Sequence, residues 1–320
     1  MSKGTCLVTG CAGFIGSHLT EYLLDNDWSV VGVDNFFSGY ARNMSTFQDH
    51  PAFIFMKRDI RDANLIMEIT EDIGPLTAIF HLAAVVSVPY SVEHPEETME
   101  INYNASISLL ADAFSANVET FIFAGSAAEY SDTNIIPTPE DAATDSTRHN
   151  SPYGKAKYLT SKAVEASGRG CALRFFNIYG PRQDPASPYS GVISRFIEHG
   201  LKNKPLTVFG DGGQTRDFLH VHDAVRVYAC AAGMVANPPL RGIYNVGTGL
   251  VTSILELAAT LKIATNNDKE IEFLDERPGD IRHSLADISK LLRDTDFQPS
   301  LTLAQGLDDT VVWAQKELKK

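Results

Sequence analysis

A tyrosine and a lysine that could move a proton lie one helical turn apart near the middle of the chain. Residues 151–157 read Ser-Pro-Tyr-Gly-Lys-Ala-Lys, and Pro152 would open a helix with Tyr153 and Lys157 on one face. A free tyrosine ionises near pH ~10, so a base at neutral pH needs a positive charge beside it, which Lys157 can supply. The pair predicts general acid–base chemistry, although the same spacing also occurs on solvated helices.

A serine could share this proton path. The apolar run 121–123 continues through Ala124 and Gly125 to Ser126, which predicts a strand with a hydroxyl at its carboxyl end. Open α/β sheets bind their ligands at that end of the strands. Ser126 is therefore a candidate partner of Tyr153, with an ordinary turn serine as the alternative.

A glycine-rich turn joins a short apolar strand, residues 6–9, to a helix with apolar periodicity over residues 14–24. Such glycines let the backbone bend tightly and leave room for a pyrophosphate at the helix N-terminus, where unpaired amides attract anions. A tight turn with close helix packing is the alternative, because the spacing is G-x-x-G-x-x-G rather than G-x-G-x-x-G. The turn residues are Gly10, Gly13, Phe14, Ile15 and Gly16.

An acidic residue follows the next predicted strand, residues 29–33, where a dinucleotide site would need it. Asp34 lies about twenty residues beyond the glycines, and a carboxylate there can accept both hydroxyls of an adenosine ribose. Asp34 would repel a 2′-phosphate, and no arginine follows it directly. The sequence therefore favours NAD over NADP.

Strands and helices continue to alternate, which predicts an α/β fold with a Rossmann-type doubly wound parallel sheet. The next predicted elements cover residues 53–56, 64–73, 78–81, 95–116 and 120–124. Asp59 and Ile60 follow a strand on the side of a cofactor adenine, and a helix N-cap at Asp59 is an equal alternative.

The fourth predicted strand ends at His81, which could also be a satisfied core histidine. The small residues that follow it would let a cofactor approach the backbone. These residues are Leu82, Ala83 and Ala84.

The composition limits the classes of partner and compartment. The 320 residues carry 27 basic and 40 acidic side chains, a formal net charge of -13, which disfavours nucleic acid and anionic membranes as partners. Cys6, Cys11, Cys171 and Cys230 form no close-spaced metal or disulfide pattern, so we expect no metal and a reducing, cytoplasmic setting. We find no signal-like or membrane-spanning run in the sequence.

Together these motifs resemble the extended short-chain dehydrogenase/reductase family that acts on nucleotide sugars, and within it the NAD-dependent UDP-hexose 4-epimerases. The match covers nearly the whole chain and is carried, in order, by Thr9-Gly10-x-x-Gly13-Phe14-Ile15-Gly16, Asp34-Asn35, Asp59-Ile60, His81-Leu82-Ala83-Ala84, Ser126 and Tyr153-x-x-x-Lys157. The resemblance implies that Ser126, Tyr153 and Lys157 are catalytic. It also implies that NAD is bound by Gly10, Gly13, Phe14, Ile15, Gly16, Asp34, Asn35, Asp59, Ile60, Leu82, Ala83, Ala84, Tyr153 and Lys157. Tyr153 would take the proton of a sugar 4-hydroxyl while hydride passes to NAD. Return of the hydride to the other face of the 4-keto sugar would invert C-4.

The segment after Ser126 bears on the reaction that follows this oxidation. The family's dehydratases and decarboxylases carry an acidic residue two places before a tyrosine that corresponds to Tyr130. Here that place is Ala128, with Ala127 before it. Glu129 is adjacent, but on an extended segment its side chain would point to the opposite side. The segment therefore favours epimerisation.

The resemblance also implies a UDP-sugar site in the second half of the chain. We expect a NAD-binding domain over residues 1–177, with 211–240 packing back on it, and a smaller α/β UDP-sugar-binding domain over 178–320. Phe209 would pack on uracil, and Arg216 and Arg277 would pair with the diphosphate, with surface ion pairs as the alternative for each arginine. The expected substrate contacts are Ser87, Ser126, Asn177, Val192, Phe209, Arg216, Arg277, Asp280 and Ser284.

Ser284 bears on the identity of the sugar. Some UDP-galactose enzymes of the family carry a bulky tyrosine at this place, four residues after Asp280, so a serine leaves room for a 2-acetamido group. We therefore expect UDP-GlcNAc/UDP-GalNAc as substrates, with UDP-Glc/UDP-Gal as a second pair. A UDP-uronic-acid 4-epimerase and a catalytically idle NAD-sensing binding protein stay open as alternatives. The resemblance further implies a homodimer joined through helices 95–116 and 153–168.

Overall fold

The structure, a computed structural model, describes residues 2–131, 133–184, 191–235, 238–277 and 281–318. Within these ranges the strands are β1 (Thr5–Thr9), β2 (Ser29–Val33), β3 (Phe53–Met56), β4 (Ala78–His81), β5 (Thr120–Ser126), β6 (Gly170–Phe175), β7 (Asn177–Tyr179), β8 (Thr207–Phe209), β9 (Thr215–Arg216), β10 (Phe218–His220), β11 (Gly242–Val246), β12 (Thr252–Ser253) and β13 (Glu272–Leu274). The helices are α1 (Phe14–Asp25), α2 (Leu65–Ile73), α3 (Val88–Glu93), α4 (Pro95–Met99), α5 (Ala105–Ser115), α6 (Pro152–Ala166), α7 (Val192–Leu201), α8 (Val221–Ala231), α9 (Ile254–Ala264), α10 (Ser289–Asp294) and α11 (Leu303–Glu317). Among the helices of these ranges, none combines the length and the apolar character that a membrane span requires.

The predicted doubly wound parallel sheet is confirmed. Seven of the described strands pair in parallel in the order β11-β6-β5-β4-β1-β2-β3. The strand order reverses beside β1, whose neighbours are β2 on one side and β4 on the other. Ligands of open α/β sheets bind outside the carboxyl ends of the strands at such a reversal. The turn after β1 and the ends of β2, β4 and β5 therefore line one crevice.

Helices cover both faces of the sheet, because its strands are apolar on both sides. In β4, Ala78 and Phe80 pack into one apolar cluster, and Ile79 packs into the other. The first cluster is closed by α1 and α8, and the second by α2, α5 and α6. The crevice is thus carried by a buried and rigid scaffold.

The second half of the chain contributes to both parts of the molecule. Within residues 211–240, α8 packs against α1. The expected UDP-sugar-binding domain over 178–320 includes β11, but β11 pairs with β6 and extends the main sheet. The reason is that β11 is apolar on both faces: Tyr244 and Val246 join one cluster and Ile243 joins the other. The division into domains at residue 177 stays a prediction.

A separate apolar core lies beyond the main sheet. It is enclosed by α7, α9 and α11 together with β8 and β10. Short strand pairs complete this part, with β8 beside β13, β9 beside β12 and β7 beside β10.

The helix predicted over residues 95–116 is interrupted. Between α4 and α5, a π-helical turn covers Glu100–Asn104. The Asn102 carboxamide accepts the Val85 amide proton and donates to the Val85 carbonyl oxygen, each over 2.8 Å. This side chain anchors the turn to the loop after β4, and the apolar periodicity of the sequence gives no sign of it.

Candidate active site

The turn between β1 and α1 has backbones in close contact. Gly10 has a φ of +75°, which favours glycine, and its amide donates to Val33 O at 2.8 Å. A Cβ on Gly10 would lie 2.9 Å from Ala83 N, and a Cβ on Gly16 would collide with the Gly10 carbonyl oxygen. The glycines are therefore required by the approach of α1 and the loop after β4.

The N-terminus of α1 faces this turn. Gly13 is the N-cap and offers no side chain to the amides of Phe14 and Ile15. A helix N-terminus of this kind binds an anion through its amides and its dipole.

Asp34 lies directly after β2 and is buried. Its Oδ2 accepts the Ala12 amide at 3.0 Å, and its Oδ1 accepts the Phe36 amide at 2.7 Å. Burial raises the pKa of Asp34, and these two hydrogen bonds oppose the rise. Each oxygen keeps a further lone pair, so the fixed carboxylate can accept the two hydroxyls of a ribose.

Asp59 lies beside Asn35, which brings two predicted cofactor residues together. Asn35 Nδ2 donates to Asp59 Oδ2 at 2.8 Å, and Arg61 donates to both carboxylate oxygens at 2.9 and 2.8 Å. The hydrogen bonds from Arg61 are the main reason why the pKa of Asp59 is lowered to about 2. Asn64 is the N-cap of α2, so the N-cap alternative for Asp59 is wrong. Ile60 is buried next to it.

A directed chain of hydrogen bonds lies beneath the crevice. Ser106 Oγ donates to a carbonyl oxygen one helical turn earlier, so it accepts the Nε2 proton of His81 at 2.8 Å. His81 Nδ1 then accepts from Thr9 Oγ1 at 2.8 Å. Thr9 Oγ1 accepts in turn the amides of Leu82 and Ala83, each at 3.2 Å. Burial lowers the pKa of His81 to about 3, so this core histidine stays neutral and fixes the loop after β4.

Ser126 and Tyr153 meet at the carboxyl end of β5. Ser126 is the last residue of β5, and Tyr153 is the second residue of α6. A hydrogen bond with Ser126 lowers the pKa of Tyr153, but burial raises it by more. The protein alone therefore holds this phenol protonated at neutral pH.

Lys157 lies one turn further along α6, with 3 % of its surface exposed. Its Nζ donates to Ala124 O at 2.7 Å and lies 4.6 Å from the Phe123 ring centre and 5.9 Å from the Tyr153 ring centre. Burial lowers the pKa of Lys157 to about 8, against an opposing effect of Glu129. The lysine is therefore mostly charged at neutral pH, and its charge lies close to the phenol.

The expectation that Glu129 lies on an extended segment is wrong, because Ala127–Tyr130 forms a 3-10 turn. Glu129 is turned toward β6, where its Oε2 accepts from Arg174 Nε at 2.6 Å, and both side chains are buried. The sequence reading missed this ion pair. An arginine inside the apolar run 171–176 is the signal that could have revealed it.

Asp217 also escaped the sequence reading. Asn177 donates from its backbone N and its Nδ2 to Asp217 O, both at 3.1 Å. The buried Asp217 carboxylate accepts from Thr248 N at 2.8 Å, Thr248 Oγ1 at 2.6 Å and Gly249 N at 3.0 Å. Burial raises the pKa of Asp217, and these hydrogen bonds oppose the rise. Asp217 therefore fixes the segment that carries Asn177.

Phe209 and Arg277 face each other. Because β8 pairs with β13, the Arg277 guanidinium carbon lies 3.6 Å from the Phe209 ring centre. Two predicted substrate residues are thus brought together. Asp280 lies outside the described residues.

Arg216 and Ser284 lie around one carbonyl group. Arg216 Nη1 donates to Thr215 O at 2.9 Å, and the Ser284 amide donates to the same oxygen at 3.1 Å. Both predicted residues are half-buried.

The other two predicted substrate residues begin helices. Ser87 is the buried N-cap of α3, and its Oγ accepts the Tyr90 amide at 2.9 Å. Val192 is the half-buried first residue of α7. Their place in a substrate site stays a prediction.

Within the described ranges, one group of side chains is close enough to hold a metal ion: His220, His222 and Asp309. His220 Nδ1 accepts the His222 amide, which places the ring proton on Nε2, the nitrogen that faces Asp309. A protonated nitrogen has no lone pair for a metal, so we assign no metal to this cluster.

The residues of the crevice fit NAD. A Cβ at Gly10 or Gly16 would fill the space beside the helix N-terminus, and Asp34 presents a carboxylate where the strand order reverses. Ser126, Tyr153 and Lys157 lie at the end of β5, further along the same edge of the sheet.

Comparison with known proteins identifies the family of the chain. The model of the NAD dependent epimerase/dehydratase family matches residues 6–247. The UDP-glucose 4-epimerase of Mycolicibacterium smegmatis is 35% identical over 315 residues, 95% of this chain and 96% of that protein. The structure of a Thermotoga maritima UDP-glucose 4-epimerase with UDP-glucose has a TM-score of 0.88 at 34% identity, and covers 98% of this chain and 99% of that one.

A structure of a UDP-N-acetylglucosamine 4-epimerase from Methanobrevibacter ruminantium, in complex with UDP-N-acetylmuramic acid, has a TM-score of 0.89 at 33% identity. The similarity covers 99% of this chain and 100% of that one. Given the family match and these relatives, the chain belongs to the NAD-dependent epimerase/dehydratase family of extended short-chain dehydrogenases/reductases, and NAD is its cofactor.

Proposed function

We propose that the chain is an isomerase that inverts C-4 of UDP-hexoses, with UDP-GlcNAc and UDP-GalNAc as its preferred pair and UDP-Glc and UDP-Gal as a second pair. The names of the relatives support a UDP-sugar 4-epimerase. The segment after Ser126 supports epimerisation over water loss, because Ala127 and Ala128 offer no acid and Glu129 is paired with Arg174.

The chain's own residues can move the proton of a sugar 4-hydroxyl. NAD, when bound, supplies the acceptor and donor of a hydride. Ser126 holds a hydrogen bond with Tyr153, so the deprotonated form of Tyr153 could accept the proton of a substrate hydroxyl beside both groups and return it later. Lys157 stabilises the deprotonated phenol by its nearby positive charge.

The choice of the N-acetylated pair depends on Ser284. The Ser284 amide donates to Thr215 O, the oxygen that also accepts from Arg216. Ser284 therefore lies beside the arginine that we expect to bind the diphosphate, and its short side chain leaves room for the sugar. A larger side chain at this place would meet the substituent on C-2 of the sugar.

The direct test of the proposed function is a product assay by NMR. UDP-Glc, UDP-Gal, UDP-GlcNAc, UDP-GalNAc and UDP-glucuronate are supplied in parallel to the purified protein. We expect inversion at C-4 of the N-acetylated pair with the highest kcat/KM. Turnover of UDP-glucuronate alone would instead establish a uronic-acid epimerase, and binding without any product would establish an NAD-sensing protein.

We predict that Ser284→Tyr selectively lowers kcat/KM for UDP-GlcNAc and UDP-GalNAc by about ten-fold or more, since losing the room for an acetamido group costs upward of about 1.4 kcal/mol. UDP-Glc and UDP-Gal should be affected by less than about three-fold. Ser284→Ala is the matched control and should leave the ratio of the two pairs unchanged. An equal loss on both pairs would contradict the role of Ser284.

We also propose a cytoplasmic homodimer joined through α4, α5 and α6. The buried free thiols of Cys6, Cys11 and Cys171 are compatible with a reducing compartment. Light scattering over a range of protein concentrations measures the mass of the particle and would reveal a monomer.

A further inference from the structure

The buried carboxylate of Glu129 joins the elements that carry the active site. Its Oε1 accepts the backbone N–H of Ser126 at 3.0 Å and the Oγ–H of Ser161 at 2.9 Å. Its Oε2 accepts from Arg174 Nε at 2.6 Å. Ser126 ends β5, Ser161 lies on α6 one turn after Lys157, and Arg174 lies on β6. One side chain therefore fixes the catalytic strand against the catalytic helix.

Arg174 is itself held on the side away from Glu129. Its Nη1 donates to Tyr130 Oη at 3.0 Å and to Glu140 O at 2.7 Å. Tyr130 Oη donates in turn to Asn245 Oδ1 at 2.5 Å. Neither partner of the buried pair can move without breaking this network, so the position of Glu129 is strongly determined.

The chain also makes space for this carboxylate. Gly125 precedes Ser126, and a Cβ there would lie 2.8 Å from Glu129 Oε1 and 3.0 Å from Leu173 O. The absence of a side chain at residue 125 lets the Glu129 carboxylate lie directly behind the backbone of Ser126.

We propose that Glu129, held by Arg174, is a positioning residue that fixes the backbone of Ser126 so that its hydroxyl meets Tyr153. The 3-10 turn supports this arrangement, because Ser126 and Glu129 form a capping box in which each side chain bonds the other residue's backbone amide. The Ser126 hydroxyl also accepts the Ala128 amide at 3.2 Å, so its direction depends on the same turn. The inference rests on the proposed epimerase reaction but not on which UDP-sugar is preferred.

The alternative is that the ion pair serves only to fold the chain. Two variants separate these roles. One mainly lowers the stability of the fold, and the other mainly disturbs the alignment of Ser126 with Tyr153. Glu129→Gln keeps an oxygen for Ser126 and Ser161 but leaves the Arg174 charge buried without a partner. The double variant Glu129→Val/Arg174→Met removes both charges with apolar groups of similar size, but it also removes every acceptor for Ser126.

We expect the two variants to reverse their order between stability and activity. Glu129→Gln should have the lower Tm but keep kcat within about five-fold of the wild type. The double variant should have the higher Tm of the two, while its kcat falls at least about thirty-fold and its KM changes by less than about two-fold. Deuterium at C-4 of the substrate should slow the double variant more than the wild type, because the misaligned chemical step becomes rate-limiting.

The matched control is Asp223→Asn, which weakens another buried carboxylate with an arginine partner. Asp223 lies on α8 and accepts from Arg226 and from Ser300 rather than from the backbone of Ser126, so this variant should lose stability without a change in the isotope effect. All variants are assayed as holoenzyme with whichever UDP-sugar the wild type turns over. A wild type that prefers UDP-Glc would contradict the proposed substrate preference and leave this test intact. If kcat follows Tm across the variants, Glu129 is a structural residue and our inference is wrong.

Discussion

Lys157 shows how the catalytic role that we propose for a residue opposes its contribution to stability. Its ammonium group is buried beside two aromatic rings and donates a hydrogen bond to Ala124 O. Burial lowers its pKa from 10.5 to about 8, which means that the folded chain holds the charge less readily than the unfolded chain does. The spacing of Tyr153 and Lys157 predicted that the two would share one face of a helix, but it could not predict this cost, because burial depends on β5 and α5 packing around them.

The pH dependence of stability follows from this shift. Between about pH 8 and pH 10.5 the unfolded lysine binds a proton that the folded one has released, so this group adds to the free energy of unfolding as the pH rises. The whole effect is about 3 kcal/mol, since one pKa unit corresponds to about 1.4 kcal/mol. We predict that the free energy of unfolding of Lys157→Met, relative to the wild type, falls by about 2 kcal/mol or more from pH 7 to pH 10.

Chemical unfolding of the cofactor-free proteins at several pH values measures this difference. The thiols and phenols that also titrate in this pH range are present in both proteins, so their effects on the free energy of unfolding cancel in the comparison. Lys155→Met is the matched control, because Lys155 is exposed on the same helix. The difference in free energy of unfolding between Lys155→Met and the wild type should stay constant with pH. Parallel curves for the wild type and Lys157→Met would contradict the buried charge.

The residues that sequence reasoning missed are buried charges whose partners are distant along the chain. Glu129 and Arg174 are separated by 45 positions, and Asp217 binds Thr248 over 31 positions. Local motifs identify turns, caps and strand ends, because these depend on neighbouring residues. A buried carboxylate is explained only by the strand or loop that supplies its donors, and that pairing requires the folded topology.

At the scale of elements, strands were predicted closely and one helix was not. The limits of β2, β3 and β4 agree with the apolar runs of the sequence. The helix over residues 95–116 is instead broken by the π-helical turn at Asn102. Its apolar stripe continues through the turn, so periodicity alone cannot detect it. The backbone carbonyl group of Asn102 accepts from Ser106 and from Thr160, which links the turn to α6, the helix of Tyr153 and Lys157.

We predict that Asn102→Ala destabilises the fold by roughly 2–4 kcal/mol, because both backbone groups of Val85 lose their buried partner. The affinity for NAD should fall as well, since Val85 directly follows the loop that contacts Gly10. Urea unfolding and calorimetric titration with NAD measure the two effects. Asn104→Ala, in the same turn but exposed, should change stability by less than about 0.5 kcal/mol. Equal effects of the two substitutions would contradict the anchoring role of Asn102.

At the scale of the whole molecule, both halves of the sequence contribute to the apolar clusters of the main sheet. Helix α8 comes from the second half and packs on α1, and β11 from the second half extends the main sheet beside β6. Ion pairs such as that between Arg182 and Glu21 further join the halves. The alternation of elements predicted the first half of the sheet. It could not predict that β11 joins the main sheet, because a short apolar strand is compatible with the main sheet and with the smaller part until its partner strand is known.

The packing of α8 and β11 into the main sheet implies that both halves of the chain unfold in one cooperative transition. Tyr228 of α8 is fully buried, and its ring centre lies 5.0 Å from that of Phe175 and 6.1 Å from that of Phe80. Tyr228→Ala should therefore cost about 3–5 kcal/mol through the cavity that it leaves. The chain has two tryptophans, Trp28 in the first half and Trp313 in α11. The variant Trp313→Phe keeps only Trp28 as a fluorescent probe, and the variant Trp28→Phe keeps only Trp313.

In both single-tryptophan backgrounds, Tyr228→Ala should lower the midpoint of denaturant unfolding by the same amount, because loss of the contact between α8 and the sheet weakens both halves together. Tyr40→Phe, which alters a tyrosine outside this core, should leave both midpoints nearly unchanged. A midpoint that shifts for Trp28 and not for Trp313 would show that the halves unfold separately. In that case the packing of α8 on α1 would be a contact between independent domains rather than part of a single core.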